Sequence, residues 1–176
     1  MEIKKIFSDV KHIVSKKYYD DRGFFTENFN YDELKTAGID FVSVQDNLSF
    51  SKLKGTIRGL HFQMYPFEQA KIIYVLEGEI LDVFVDLRKN SKTYGKSSSI
   101  KLNSKDGFLF VPKGFAHGFC TLKDNTSVLY KVDSYYNKEF ESGIIWNDAT
   151  LNIQWPMSDE FIHLSDKDKE LNSFEI

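Results

Sequence analysis

The sequence is short of what several protein classes need. It holds one cysteine, Cys120, so it has no internal disulfide and no Cys-x-x-Cys metal or redox pair. No apolar run approaches the roughly 20 residues of a membrane span. The opening residues Met1-Glu2-Ile3-Lys4-Lys5 do not begin the apolar core of a signal peptide. Lys and Arg number 23 against 26 Asp and Glu, and a net charge of −3 lacks the basic excess that attracts nucleic acid. There is no glycine-rich dinucleotide loop, no internal repeat and no Pro/Ser-rich linker. These absences predict a single soluble domain, 1–176, in the cytoplasm, with no nucleic-acid or membrane partner.

Aromatic residues are plentiful. Phe, Tyr and Trp make up 15 % of the chain, and single glycines punctuate the segments that carry them. That pattern predicts an all-β domain with many tight turns. One short helix is expected at about 31–37, capped by Asn30, with Glu33 as capping-box partner and Gly38 at its end. From Gln45 onward the hydrophobic period is two. In the segment Glu79 to Leu87, Leu81, Val83, Val85 and Leu87 share a core face, while Ile80, Asp82, Phe84 and Asp86 share a mixed face of the kind that borders a polar cavity. Lys71 to Leu76 is a second strand, with Glu77-Gly78 as the turn between the two. Asp106-Gly107 and Asp124-Asn125 are further turns, each leading into another strand. Strands at this spacing predict a sandwich or barrel, best a double-sheet jelly roll. Residues 157–176 read as loop with one short helical turn.

Four histidines occur, at 12, 61, 117 and 163. Strict alternation through Arg58-Gly59-Leu60-His61-Phe62-Gln63 puts Arg58, Leu60 and Phe62 on one side and His61 and Gln63 on the other. His117 follows Pro112-Lys113-Gly114, a tight loop able to hold an imidazole at a cavity rim. Each histidine alone reads first as a hydrogen-bonded core or rim residue. His61 lacks a second imidazole at ligand spacing, so no metal site is expected. Lys71 shares the parity of Ile73 and Val75 and sits on a partly apolar face, and Tyr130 shares that of Val128 and Val132 and points inward; both are cavity candidates, and alone they are a snorkelling lysine and a packed tyrosine. Asp168, amid Ser165-Asp166-Lys167, reads alone as solvated charge.

Together these residues resemble a known family. Asp21-Arg22-Gly23-Phe24-Phe25, Gln45-Asp46-Asn47-Leu48-Ser49, Arg58-Gly59-Leu60-His61-Phe62-Gln63, Asp86-Leu87-Arg88, the Pro112 to Phe119 loop, Tyr130-Lys131 and Trp146-Asn147-Asp148 stand in the order found in the dTDP-4-dehydrorhamnose 3,5-epimerase family of cupins. The resemblance implies a double-stranded β-helix jelly roll and a cofactor-free isomerase with no metal. It implies a nucleotide-diphospho-4-keto-6-deoxyhexose as substrate, whose ketone acidifies the hydrogens on C3 and C5. By the same resemblance His61 is the base, Asp168 its orienting carboxylate, Tyr130 the acid on the other face and Lys71 the cation near O4. Arg22, Glu27, Gln45, Asn47, Arg58, His117, Glu141 and Lys167 would contact substrate, and Tyr135 or Tyr136 would stack on the base. The family is dimeric, which implies a homodimer with exchanged N-terminal strands, segment 1–45 contributing and Arg22 and Glu27 serving the neighbouring site.

Three segments depart from the family pattern: Met64 to Glu68, Tyr74, and Ser134 to Glu141 without its usual proline. They leave open a GDP- or CDP-linked substrate, a heptose, and inversion at C3 or C5 alone. A 3,4-ketoisomerase would carry histidine where Gln63 stands. A non-catalytic sugar-nucleotide sensor would have a broken acid–base set, and here that set is complete.

Overall fold

A computed structural model describes residues 1–175. Two antiparallel sheets lie face to face. One has six strands in the order β1 (Glu2–Phe7), β2 (Val10–Val14), β10 (Phe108–Val111), β7 (Lys71–Glu77), β12 (Thr126–Val132), β5 (Gln45–Ser51). The other has five, in the order β13 (Glu141–Gly143), β6 (Ile57–Gln63), β11 (Phe115–Thr121), β8 (Glu79–Asp86), β9 (Ser97–Asn103). A separate hairpin, β3 (Lys17–Asp20) with β4 (Gly23–Thr26), joins neither. This is the jelly roll of the cupin type, with two short helices at its periphery. No helix among the described residues is long and apolar enough to cross a membrane.

The sheets meet over Ile73, Val75 and Val128 from one side and Ile80, Phe84, Phe115 and Phe119 from the other. Lys71 and Tyr130 share the faces of Ile73 and Val128, so both enter the space between the sheets, as their parity predicts.

Helix α1 (Tyr31–Thr36) starts where expected, because Asn30 Oδ1 accepts the Glu33 N–H at 3.1 Å. The capping box is one-way: the Glu33 carboxylate instead takes the N-terminal ammonium of Met1 at 3.3 Å.

Two local expectations need correction, and a third is refined. Glu77-Gly78 is no hairpin turn, since β7 and β8 belong to different sheets; the chain turns a corner there, with Gly78 at φ +84°. Both faces of β8 are buried, each in a core cluster of its own. Ile80 and Phe84 fill the space between the sheets, whereas Leu81, Val83 and Val85 pack outside it beneath Ile144 and Leu151. Leu81, Val83 and Val85 thus share a buried core face as expected, and the mixed face borders the cleft through Asp82, which meets His117. In β6 the strict alternation fails. His117 pairs with His61 but Phe119 with Arg58, so three steps on β6 oppose two on β11. The extra residue is a β-bulge at Gly59-Leu60. It puts Arg58 and His61 on one face and sends Leu60 into the outer cluster. Gly59 permits it: φ is +120°, and a Cβ would stand 2.7 Å from Gly118 Cα.

Asp86-Leu87-Arg88 is structural. Asp86 is fully buried and accepts from Arg88, Ser91 and Thr93. Burial opposes its charge, yet these donors hold its carboxyl well below the usual range. The C-terminal segment runs back across the five-stranded sheet and carries α2 (Asp166–Lys169).

Candidate active site

A cleft of about 270 Å³ opens between the sheets. His61 enters from β6. Its Nε2 lies 2.6 Å from Asp168 Oδ1, and the ring is partly exposed while the carboxylate is nearly buried. An ionised carboxylate only accepts, so Nε2 donates and the neutral ring keeps its lone pair on Nδ1. Asp168 sits in the first turn of α2, where Ser165 caps the helix by accepting its N–H at 3.1 Å. Burial disfavours its charge, but the His61 ring, the Ser165 hydroxyl and the Gly59 N–H outweigh that and keep the carboxyl below its ordinary range. The carboxylate is therefore ionised at neutral pH and ready to brace an imidazolium.

The opposite wall comes from the six-stranded sheet. Tyr130 on β12 faces the cleft, and burial pushes its phenol above the ordinary value, so it stays protonated. Lys71 on β7 is buried, with Nζ donating to the His61 carbonyl at 3.3 Å. Burial lowers its pKa to about 8 against the pull of Asp82 and Glu141. It is a desolvated ammonium close to losing its proton, not a snorkelling surface lysine. Proton-carrying groups thus stand on both walls, imidazole on one and phenol and ammonium on the other.

Gln45, Asn47, Arg58, His117, Tyr136, Glu141 and Lys167 also line the cleft. Gln45 Nε2 donates to Asn47 Oδ1 at 2.8 Å, and Gln45 Oε1 accepts the Tyr136 N–H at 3.1 Å. Arg58 is braced by Ser51 and the Phe50 carbonyl at 3.1 and 3.0 Å. Glu141 pairs with Lys167 at 2.5 Å and accepts from the Tyr136 hydroxyl at 2.7 Å. Three expected residues lie elsewhere in this chain. Arg22 is exposed on the β3–β4 turn and pairs with Asp20 at 2.6 Å. Glu27 accepts from Asn30, and Tyr135 is turned to solvent. Tyr74 does not shape the cleft; its ring packs in the cluster around α1, and its hydroxyl donates to the Asn28 carbonyl at 3.0 Å.

Sequence reasoning passed over Asp82 as a site residue. It is fully buried, and both its oxygens lie 2.9 Å from His117 Nε2. Its place on the mixed, cavity-bordering face of its strand was the available signal. Gln63 was also passed over. Its amide donates to the Phe67 and Tyr135 carbonyls at 2.6 and 3.1 Å and accepts the Asn137 N–H at 2.6 Å, pinning two mouth loops together. The Phe67 and Phe140 rings close the same seam at 4.7 Å. Ser49, Phe62, Gln69, Phe119 and Ser165 complete the lining. Among the described residues no group of three or more His, Cys, Asp or Glu is arranged to hold a metal ion.

The family model described as dTDP-4-dehydrorhamnose 3,5-epimerase matches residues 4–175. A curated protein of that name from Shigella flexneri is 43 % identical over 170 residues, covering 94 % of this chain and 91 % of its own. A solved structure of that name from Bacillus anthracis, with TDP and PPi bound, superposes with a TM-score of 0.93 at 48 % identity, covering 98 % of this chain and 100 % of its own. The dTDP-6-deoxy-D-glucose-3,5-epimerase of Legionella pneumophila, solved in complex with dTDP-4-keto-L-rhamnose, superposes with a TM-score of 0.91 at 39 % identity, covering 98 % of this chain and 92 % of its own.

Proposed function

The chain belongs to the dTDP-4-dehydrorhamnose 3,5-epimerase family, and on that premise we propose that it inverts C3 and C5 of dTDP-4-dehydro-6-deoxyglucose through enolate intermediates. The observation that carries this reading is the pairing of His61 with Asp168 at 2.6 Å across the cleft from Tyr130 and Lys71. Inversion needs a proton taken from one face of the sugar and another delivered to the opposite face. A site with its base on one sheet and its acid on the other meets that demand without moving the ring.

His61 Nδ1 takes the proton from the carbon beside the C4 ketone, and the bond's electrons pass to O4 as the enolate forms. Asp168 holds the ring in the required tautomer and stabilises the imidazolium. The Lys71 ammonium lies in a desolvated wall, where a cation stabilises enolate charge more than it would in water. The Tyr130 phenol returns a proton to the carbon from the other wall. Its raised pKa keeps that proton available at neutral pH. Such acid–base assistance supplies roughly 10²–10⁴-fold per group.

Arg58 and Lys167 are the cations suited to the diphosphate, and Tyr136 is the ring placed at the mouth for the base. His117, whose Nε2–H donates to Asp82, offers its Nδ1 lone pair as an acceptor for a sugar hydroxyl. Arg22 and Glu27 act in a homodimer, reaching the neighbouring cleft on the β3–β4 hairpin. In support, both stand off their own cleft, and Tyr19 and Phe25 of that hairpin are 75 % and 71 % exposed. The test is incubation with dTDP-4-dehydro-6-deoxyglucose and assignment of product configuration by NMR. Inversion at both centres is expected. Inversion at one alone, or turnover only of a GDP- or CDP-linked sugar, would replace this reading.

A further inference from the structure

We propose that Asp148 is a positioning residue for this site, acting through the C-terminal strap that carries Asp168. The inference rests on His61 and Asp168 being the base and its orienter. Asp168 is supplied by the strap, whose two ends are fixed to the barrel separately. Before α2, His163 N donates to Gly55 O and His163 O accepts from Ile57 N, both at 3.0 Å. After α2, Asn172 O accepts from Ile145 N at 2.9 Å, and Phe174 N donates to Asp148 Oδ2 at 2.8 Å. Between them Leu171 lies over Gly143, where a Cβ would stand 2.7 Å from its Cδ2. The Phe174 ring lies 5.8 Å from that of Tyr94.

Asp148 is 5 % exposed and lines no part of the cleft. Its Oδ1 accepts the Leu151 N–H at 2.8 Å, so one oxygen shapes its own turn and the other holds the strap. Both partners are N–H donors, and only a carboxylate meets two of them with two acceptors. An asparagine would turn an NH₂ group toward one of them. The motif Trp146-Asn147-Asp148 thereby acquires a part in the reaction: it closes the far end of the strap at Phe174, six residues beyond Asp168. With that end loosened, the carboxylate no longer meets His61 in fixed register; Lys167 shifts on the same strap, while the barrel and the contacts it carries, Arg58, Gln45 and Asn47 among them, stay in place.

The test uses Asp148→Asn and Phe174→Pro in the full chain. The second removes the strap's own N–H donor together with the ring that packs on Tyr94; Phe174→Ala, which loses the ring and keeps the N–H, is its reference, and the difference between the two carries the test if Asp148→Asn misfolds. Two readouts are taken. In steady-state kinetics kcat should fall roughly tenfold to a hundredfold, within what a well-placed base contributes, and KM should rise by a smaller factor, since Arg58 and the other barrel contacts persist while Lys167 shifts with the strap. In ¹⁵N-histidine-labelled protein, the low-field imidazole N–H resonance that Asp168→Asn removes should exchange faster with water in both variants. Unchanged kcat in both, or a wild-type resonance alongside a lowered kcat, overturns the proposal. If the unaltered protein turns over no 4-keto sugar nucleotide, the functional reading fails, and the resonance alone then decides whether Asp148 positions Asp168.

Discussion

Replacing Lys71 with methionine should make the protein more stable and catalytically silent. The side chain is 8 % exposed, and its ammonium has one hydrogen bond, to the His61 carbonyl. Burial moves its pKa from 10.5 to about 8 even with Asp82 and Glu141 pulling the other way. At 1.36 kcal/mol per pH unit that displacement is about 3 kcal/mol of stability forgone by keeping the charge inside. Methionine has nearly the same length and no charge, so Lys71→Met should recover on the order of 3 kcal/mol, an upper figure because the wall relaxes. The sign follows from proton binding. Below pH 8 the lysine is protonated folded and unfolded, and the whole penalty is present. Between about 8 and 10.5 the unfolded chain holds a proton that the folded one has released, so stability of the unaltered protein rises with pH. The advantage of the variant should therefore shrink over that window. Urea unfolding at pH 7 and at pH 10 measures both gaps. A variant less stable than the parent at pH 7, or an advantage that does not narrow by pH 10, would refute the account of a buried, functionally retained cation.

The same lysine predicts a basic limb in kcat/KM near pH 8, where the ammonium is lost; a profile flat to pH 10 would remove Lys71 from the chemistry. Tyr130→Phe should keep solvent exchange at carbon but lose inversion, and normal product configuration by NMR would move the acid elsewhere. Gln63→Ala frees the two mouth loops from one another, so KM should rise roughly tenfold with kcat changed less; a lowered kcat at unchanged KM would instead tie Gln63 to the reaction.

The strands, the helix cap at Asn30 and the inward parity of Lys71 and Tyr130 were legible because each depends on local period and turn chemistry. Sheet membership was not. Gly78 looks alike in a hairpin and at a corner, and only pairing shows that β7 and β8 lie in different sheets. The bulge at Gly59-Leu60 was equally hidden, since an extra residue on β6 is defined by its partner β11. It matters because it turns Arg58 and His61 into the same cleft. His61 and Asp168 are 107 positions apart, and no periodicity joins them; their pairing came from family resemblance and was met by the fold. The apolar face and the mixed, cleft-bordering face of β8 were legible, but not that Ile80 and Phe84 of the mixed face also fill the space between the sheets. A strand covered on both sides carries apolar residues at both parities, and the burial of Asp82 becomes meaningful only beside His117.

The central claim is that the imidazole at position 61 removes a hydrogen next to the sugar ketone. Incubation of dTDP-4-dehydro-6-deoxyglucose in deuterated water, with mass and NMR assignment of each carbon, tests it most directly. The unaltered protein should place deuterium at C3 and C5, and His61→Ala should place none above the uncatalysed background. Deuterium appearing at both carbons at parental rates in His61→Ala would contradict the account.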